Sequence, residues 1–276
     1  MKELERIDVL LSKSKNISRG KAKELILSEK VFVDGKKITK VAFKVLLDSQ
    51  IETTAEMKYV GRGGYKLEKA LDYFSIDVNN KICMDVGAST GGFSDCLLQN
   101  NAHKIYAIDV GHSQLAEKIA IDSRVVSLEK TNIKNIQPDS LEPMDFVCVD
   151  VSFISLTKIL ENTHLLMKEE ADIVCLLKPQ FEAGKENLNK SGIVKKPKVH
   201  VQVLQNVIQY ASDIGFRVED ATFSGIKGAE GNIEYLLHMK RIEKNRLADG
   251  NEIIQKSNKF DSTYVKNLVQ DAFEKL

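Results

Sequence analysis

Four charged residues that lie far apart in the chain form a set that could activate a hydroxyl group: Lys66, Asp150, Lys178 and Glu234. A lysine flanked by carboxylates can orient a hydroxyl and, in its neutral form, remove the proton. Asp150 directly follows the apolar run 146–149, and Lys178 follows the run 173–177. Because open α/β sheets bind ligands at the carboxyl ends of their strands, we expect both side chains there. A salt bridge to a covering helix is the alternative, and the other two residues, taken alone, would be ordinary surface charges.

A glycine-rich turn provides the second chemical signal, with the sequence Asp85-Val86-Gly87-Ala88-Ser89-Thr90-Gly91-Gly92. Glycines let the backbone approach a ligand closely, and Ser89 can donate a hydrogen bond. Asp109 ends the next apolar run, where a carboxylate can accept hydrogen bonds from ribose hydroxyls. The spacing allows NAD, but the turn lacks the Gly-x-Gly-x-x-Gly pattern. An acidic residue two positions before the first glycine is typical of S-adenosylmethionine (SAM) sites. A tight strand-to-helix connection without a ligand is the remaining alternative.

From Lys81 onward, strand-like and helix-like segments alternate. The strand-like runs are Ile82–Val86, Lys104–Ile108, Val125–Leu128, Phe146–Val149 and Ile173–Leu177, and the helical stretches include Phe93–Gln99, Ile154–Met167 and Val201–Ile214. This alternation predicts a mostly parallel sheet covered by helices. We expect Phe216–Phe223 and Ile233–Met239 to add a terminal antiparallel pair. Residues 65–74 have a helical pattern that carries Lys66, whereas Met57–Gly64 is rich in glycine and predicts a linker.

The beginning of the chain is basic. Residues 1–60 carry 13 lysines and arginines against 9 acidic residues, a net charge of +4, so the remaining residues carry −3. The predicted elements here are a helix over Arg6–Lys13, a second helix capped by Ser18, and a hairpin over Val31–Ile38 with an Asp-Gly turn. Arg19, Lys23 and Lys30 should share one stripe of the second helix. Such a face could bind RNA phosphates, and a solvated surface without a partner is the alternative.

Composition narrows the class of protein. The four cysteines form no Cys-x-x-Cys pair, and three of them lie inside apolar runs, which predicts buried thiols in a reducing compartment. The five histidines have no metal-ligand spacing, so no metal is expected. We see neither a secretory signal nor a run long enough to span a membrane, which predicts a cytoplasmic protein.

The end of the chain differs from the rest. Residues Lys244–Lys259 are polar and are expected to be loose. Asp261 or Ser262 is predicted to cap a final amphipathic helix, whose apolar stripe consists of Val265, Leu268, Val269, Ala272 and Leu276. Docking of this helix on the body of the protein is favoured over a role in binding a partner.

At this point the motifs resemble the TlyA-type RNA methyltransferases, in which an S4-like RNA-binding domain precedes an FtsJ/RrmJ-like ribose methyltransferase domain. The resemblance covers roughly residues 4–240. The matching stretches are residues 6–11, 61–67, 85–93, 150–156, 178–184 and 231–234. Gly61 stands where a serine is usual, and the tail beyond residue 241 is longer than the usual pattern.

The resemblance implies a domain plan and a fold. Residues 1–59 would form a small α+β S4-like domain, and residues 60–240 a Rossmann-like class I methyltransferase domain with a seven-stranded α/β sheet. A linker would cover residues 57–64, and residues 241–276 would form the C-terminal tail.

The resemblance also assigns roles to residues. The family's Lys-Asp-Lys-Glu tetrad falls on Lys66, Asp150, Lys178 and Glu234. Within this set, our own hypothesis is that Lys178 orients and deprotonates the hydroxyl. The predicted SAM contacts are Asp85, Gly87, Ser89, Gly91, Gly92, Phe93, Asp109, Asn132 and Asp150. The predicted RNA contacts are Arg6, Arg19, Lys23, Lys36 and Arg62.

The function implied is SAM-dependent methylation of a ribose 2′-hydroxyl, on cytidine, in ribosomal RNA or ribosomal subunits. The residues alone lead only to an RNA ribose. The alternatives are a non-catalytic RNA-binding factor of the ribosome, an NAD-dependent oxidoreductase, and a cytolysin, because some members of the family carry the label haemolysin. The target nucleotide and the oligomeric state stay open.

Overall fold

The computed structural model describes residues 4–34, 36–53, 58–228, 231–242 and 260–276. The chain divides into two compact units, Met1–Arg62 and Gly63–Leu276. Among the described residues, no helix combines the length and the apolar character needed to cross a membrane.

The N-terminal unit consists of two helices and short antiparallel strands. Its elements are β1 (Leu4–Arg6), α1 (Ile7–Ser14), α2 (Arg19–Leu27), β2 (Val31–Val33), β3 (Lys36–Ile38), β4 (Lys44–Leu46) and β5 (Ile51–Thr53). Strand β1 pairs with β4, and β2 pairs with both β3 and β5. The helices close over the strands with a small apolar core, which includes Ile7, Leu11, Ile26 and Val31.

The sequence predicted this unit in part. The two helices and the hairpin are confirmed, and the Ser18 hydroxyl accepts a hydrogen bond from Lys21 N, as expected of an N-cap. Gly35 of the predicted turn lies outside the described residues. Helix α2 ends at Leu27, so Lys30 does not share its stripe. Strands β1, β4 and β5 are three residues each, too short for an apolar alternation to reveal them.

The C-terminal unit is a seven-stranded sheet covered by helices. Its elements are α3 (Gly63–Phe74), β6 (Ile82–Val86), α4 (Gly92–Gln99), β7 (Lys104–Ile108), α5 (Glu117–Ala120), β8 (Val125–Leu128), β9 (Met144–Val149), α6 (Leu160–Leu165), β10 (Met167–Leu177), α7 (Pro179–Glu182), α8 (Pro197–Asp213), β11 (Phe216–Phe223), β12 (Tyr235–Arg241) and α9 (Ser262–Lys275).

The strand order is β11-β12-β10-β9-β6-β7-β8. Strands β10, β9, β6, β7 and β8 run parallel, and β12 is antiparallel to both of its neighbours. The inner strands are mostly apolar and buried in the segments that pair with one another, as expected of a sheet covered by helices. All four cysteines are buried, as predicted. The predicted α/β sheet and its terminal antiparallel pair are therefore confirmed.

Several element boundaries differ from the sequence prediction. Strand β9 begins at Met144, β10 begins at Met167 and α8 begins at Pro197, each earlier than predicted. Helix α3 begins at Gly63, inside the predicted linker. The predicted helix over residues 154–167 is divided into a 3-10 turn at Leu156–Lys158 and the short α6. Strand β12 begins at Tyr235, so Glu234 precedes the strand rather than lying within it.

The tail helix α9 belongs to the body of the unit. The Asp261 carboxylate caps it by accepting a hydrogen bond from Tyr264 N at 2.7 Å. The helix packs on α8 and β11. Val265, Val269 and Ala272 join the main apolar core, as the amphipathic pattern predicted. The predicted loose segment, residues 244–259, lies outside the described residues.

Candidate active site

Lys178 and Asp150 form an ion pair at the carboxyl ends of two neighbouring parallel strands. Asp150 directly follows β9, and Lys178 directly follows β10. The Lys178 ammonium lies 2.6 Å from Asp150 Oδ1 and donates a hydrogen bond to Ser152 Oγ at 2.9 Å. The side chain of Lys178 is 11% exposed and that of Asp150 is 22% exposed. The lysine is therefore held by two partners, and a small part of its side chain stays exposed to solvent.

Lys66 and Glu234 form a second, more deeply buried ion pair. Lys66 Nζ donates to Glu234 Oε2 at 2.5 Å, and both side chains are at least nine-tenths buried. A side-chain carbon at Gly228 would overlap the Glu234 carboxylate, so this glycine makes room for it. A buried charge left without its partner is strongly destabilising, so each member of this pair requires the other.

The two ion pairs lie at the same edge of the sheet. Leu177 of β10 is paired with Tyr235 of β12 in antiparallel register, so Lys178 and Glu234 leave adjacent strand ends. At the start of α3, a side-chain carbon at Gly63 would lie 3.7 Å from Asp150 Oδ2. This contact places the first turn of α3 beside Asp150, and Lys66 lies in that turn.

The glycine-rich turn is built onto the backbone of Asp150. Gly87 has a φ of 88°, and a side-chain carbon there would overlap the carbonyl oxygen of Asp150. Only glycine tolerates both conditions without strain. The turn and the Asp150–Lys178 pair are thus in direct contact through one residue.

Asp85 is a buried carboxylate with one unpaired oxygen. Its Oδ2 accepts hydrogen bonds from the backbone N and the hydroxyl of Ser94, at 2.9 and 2.7 Å. Its Oδ1 is buried and has no hydrogen-bond partner among the described residues. Burial raises the pKa of Asp85 to about 7, the Ser94 hydrogen bonds oppose this, and the charges of Asp150 and Asp109 add to it. An orphaned acceptor in this position is suited to a donor on a bound ligand.

Asp109 ties the glycine-rich turn to the next strand. Its Oδ2 accepts from Ser89 N at 2.8 Å, and its Oδ1 accepts from Gly111 N at 2.7 Å. Each carboxylate oxygen has a further lone pair, so the residue can still accept from ribose hydroxyls. Ser89 itself has a φ of 48°, which keeps the turn tight.

Three carboxylates therefore converge on the turn: Asp85, Asp109 and Asp150. An excess of negative charge favours a cationic ligand and disfavours an anionic one. SAM carries a sulfonium and an ammonium group, and the orphaned Asp85 oxygen can accept from such a cation. The residues present consequently fit SAM.

The remaining predicted cofactor residues occupy three different environments. Gly91 is the N-cap of α4 in a left-handed conformation, and Gly92 begins that helix. The ring of Phe93 is buried and lies 3.3 Å from a side-chain carbon placed at Gly63, so it packs against α3. Asn132 is exposed, and its side-chain oxygen accepts from Lys134 N.

Sequence reasoning missed Glu182, which connects the segment after Lys178 with the loop after Asp150. Its Oε2 accepts from the Ser155 hydroxyl at 2.6 Å, and its Oε1 accepts from Leu156 N at 2.8 Å. This bidentate contact joins helix α7, which follows Lys178, to the loop that follows Asp150. Burial raises the pKa of Glu182, and the two hydrogen bonds oppose the shift. The residue is part of the matching stretch 178–184, but only the structure shows its partners.

Asp8 is a second residue that the sequence analysis missed, in the N-terminal unit. It is fully buried and forms ion pairs with Arg6 and Arg19, both at 2.8 Å. The hydrogen bond from Arg6 lowers the pKa of Asp8 to about 2, burial opposes this, and Arg19 reinforces it. The side chains of the two arginines are 42% and 55% exposed, so each guanidinium is held by Asp8 and still reaches solvent.

The structure gathers only some of the predicted RNA contacts. Lys23 is exposed on α2, one turn after Arg19, and Lys36 is exposed on β3. Arg62 is exposed as well, and its charge lowers the pKa of Glu24 on α2, although burial raises that pKa overall. The ranges that the structure describes contain no cluster of three or more side chains that could hold a metal.

Two sequence families match the chain. The S4 domain family matches residues 5–51, and the FtsJ-like methyltransferase family matches residues 59–241.

Individual relatives match over most of their length. Hemolysin A of Brachyspira hyodysenteriae is 47% identical over 226 residues, covering 80% of this chain and 93% of that protein. The 16S/23S rRNA (cytidine-2′-O)-methyltransferase TlyA of Mycobacterium tuberculosis is 38% identical, covering 81% of this chain and 84% of that protein. A solved structure from Streptococcus thermophilus, assigned as a hemolysin, is 36% identical with a TM-score of 0.76 and covers 100% of this chain and 98% of that one.

Proposed function

Because the chain belongs to the FtsJ-like methyltransferase family, we propose that it transfers a methyl group from SAM to the ribose 2′-hydroxyl of a cytidine in ribosomal RNA. The observation that carries the proposal is the doubly held amine of Lys178 beside the glycine-rich turn. The naming of the Mycobacterium tuberculosis relative as a cytidine-2′-O-methyltransferase supports the choice of nucleoside and RNA. Ribosomal RNA as substrate places the activity in the cytoplasm.

Lys178 binds and deprotonates the nucleophile. An ammonium has three N–H donors. The Lys178 ammonium donates one hydrogen bond to Ser152 and forms an ion pair with Asp150. A remaining donor direction is assigned to the 2′-oxygen of the substrate. A proton can move only to the neutral amine, because a charged ammonium has no lone pair. Asp150 fixes the direction of the amine and stabilises the ammonium after it has taken the proton.

When bound, SAM would supply a methyl group on a sulfonium; transfer would form the oxygen–carbon bond and break the carbon–sulfur bond, leaving the sulfur as a neutral thioether. Lys178 would hold the 2′-oxygen towards the methyl group and accept the hydroxyl proton. Asp85, Asp109 and the glycine-rich turn bind the donor. The Lys66–Glu234 pair positions the ribose. Alignment of nucleophile and donor supplies much of the rate enhancement.

The direct test is to incubate the full chain with ribosomal subunits and isotopically labelled SAM, and to map the label by mass spectrometry. Label on a cytidine ribose, with no transfer by the Lys178→Ala variant, is the expected result. Label on a base or on protein, or no transfer to either subunit, would contradict the proposal. Some relatives are named hemolysin, so a liposome-leakage assay without SAM tests for membrane-damaging activity. Leakage would favour a cytolysin instead of a methyltransferase.

A further inference from the structure

Two lysines share one aromatic ring next to the Lys66–Glu234 pair. Lys69 on α3 donates a hydrogen bond to the carbonyl oxygen of Phe223 at 2.6 Å, and its ammonium lies 4.0 Å from the centre of the Phe223 ring. The ammonium of Lys275, near the end of α9, lies 5.9 Å from the centre of the same ring. We call Lys69, Phe223 and Lys275 the cationic cluster.

The positive charge of the cationic cluster is only weakly compensated. No carboxylate of the described residues forms an ion pair with Lys69. Lys275 pairs with Asp271 at 3.0 Å, but both side chains are more than half exposed, and such surface pairs are weak. Burial, followed by the charge of Lys275, lowers the pKa of Lys69. An anion bound near both ammonium groups would relieve the repulsion between them.

The position of the cluster relates it to the proposed reaction. Lys69 follows Lys66 by three residues on α3, a rise of about 4.5 Å along the helix. Phe223 is paired with Tyr235, the residue after Glu234, and Ser224 N donates to the Glu234 carbonyl at 2.9 Å. The cluster therefore adjoins the Lys66–Glu234 side of the site. An RNA strand whose ribose is bound there carries its phosphates on either side of that ribose.

We propose that the cationic cluster binds a backbone phosphate of the RNA strand next to the target nucleotide, and that α9 thereby takes part in substrate binding. This inference rests on the proposed function. The Phe223 ring holds the two ammonium groups through cation–π contacts, and the phosphate bridges them. The contact is independent of sequence, since a phosphate carries no information about the base.

The test compares charge-removing variants of the full chain in binding to ribosomal RNA at several salt concentrations. The double variant Lys69→Gln/Lys275→Gln should bind about three- to tenfold more weakly at low salt. The slope of log affinity against log salt should become shallower by about 0.7–0.9, the loss of one phosphate contact. Lys69→Arg/Lys275→Arg retains the charges and should retain the slope.

The matched control is Lys266→Gln, which removes the same charge from the same helix. Lys266 is exposed and precedes Lys275 by nine residues, which places it about 180° around α9. Lys275→Gln alone changes only the exposed end of the helix, so it tests the proposal even if the double variant misfolds. It should weaken RNA binding more than Lys266→Gln does. A slope for the Lys275 and double variants equal to that of Lys266→Gln would overturn the proposal.

The readout separates this inference from the proposed function, because binding is measured without methyl transfer. If the wild type methylates ribosomal RNA and the slope does not change in the variants, the phosphate site fails and the function stands. If the wild type transfers no methyl group but the slope changes as expected, the proposed function fails, while phosphate binding by the cationic cluster stands. Loss of binding to anionic lipid vesicles in the double variant, with an unchanged RNA slope, would contradict RNA as the ligand.

Discussion

The amine of Lys178 has two tasks in the proposed reaction, orienting the 2′-oxygen and accepting its proton, and a pair of substitutions separates them. Arginine keeps the positive charge and the donors but is not deprotonated in proteins. We expect both Lys178→Ala and Lys178→Arg to lower kcat by about 10²-fold or more. The Kd for SAM, measured by calorimetry, should change little in either variant.

The arginine variant is the informative one. Substantial turnover by Lys178→Arg would show that charge and orientation suffice, and would remove the role of Lys178 as a base. Ser152→Ala provides a graded comparison, because it removes only one of the two contacts that hold the amine. A net hydrogen bond is worth about 0.5–1.5 kcal/mol, so a loss of about two- to twelvefold in kcat is expected.

Asp85 predicts a pH dependence of cofactor binding. Its pKa is raised to about 7, so the carboxyl is partly protonated near neutrality in the unliganded protein. A cation bound against it favours the ionised form and lowers the pKa in the complex. SAM binding should then release a proton, and affinity should fall up to tenfold per pH unit below about 7 and level off above it.

Calorimetry in buffers of different ionisation enthalpy measures that proton release directly. Asp85→Asn removes the titrating group but keeps its shape, so it should bind SAM with an affinity that no longer follows this pH profile. The same pH dependence in Asp85→Asn would assign the titration to another group. A wild-type affinity that is constant from pH 5 to pH 9 would show that Asp85 does not contact the cation.

At the scale of elements, the site depends on a clamp between two segments that follow neighbouring strands. Glu182 on α7 accepts hydrogen bonds from Ser155 and Leu156 in the loop after β9. Glu182→Gln has a single acceptor oxygen and leaves one of these donors unpaired. Such a loss costs about 1–3 kcal/mol of stability. It should also loosen the Lys178–Asp150 geometry, so kcat should fall more than the Kd for SAM changes.

Glu186→Gln is the matched control, because it is the same substitution at an exposed glutamate four residues further along the chain. Thermal unfolding and single-turnover rates should be close to wild type for this control. A Glu182→Gln variant that unfolds earlier but turns over at the wild-type rate would show that the clamp stabilises the fold without positioning the site.

The sequence predicted elements well where one local signal dominates. The limits of β6, β7 and β8 follow from short apolar runs bounded by turns, and the structure reproduces them. The linker prediction was wrong at Gly63. A glycine-rich sequence locally predicts a break in regular structure, whereas the glycine at position 63 is explained by tertiary packing. A side chain at Gly63 would crowd the Phe93 ring at 3.3 Å.

The parts of the candidate site that the sequence did not predict depend on contacts between residues that are distant in the chain. Asp8 lies 11 residues from Arg19, and Glu182 lies 27 residues from Ser155, so no periodicity reveals either contact. The Lys178–Asp150 contact was predictable because parallel strands fix where their carboxyl ends meet. The partner of Lys66 was predictable only as a member of the tetrad, since nothing in the local sequence pairs α3 with the start of β12.

For the whole molecule, the uneven distribution of charge predicts separable functions for the two units. Residues 1–60 carry a net charge of +4 and the rest of the chain carries −3. The C-terminal unit has its own apolar core and contains the whole candidate active site. Deleting residues 1–62 should therefore leave the Kd for SAM nearly unchanged. It should weaken binding to ribosomal RNA by about tenfold or more and make the salt dependence shallower, because phosphate contacts are lost.

A milder variant tests the same division of labour without removing a folded unit. Lys23→Gln/Lys36→Gln removes two exposed charges and spares the arginines that Asp8 requires. Its salt slope for RNA binding should be shallower by up to about 1.4–1.8, with thermal unfolding and SAM binding as in the wild type. Loss of SAM binding on deletion would mean that the N-terminal unit supports the cofactor site. If instead the deletion and the double variant both keep wild-type RNA affinity, the basic face of the N-terminal unit is only a solvated surface, and substrate binding belongs to the C-terminal unit alone.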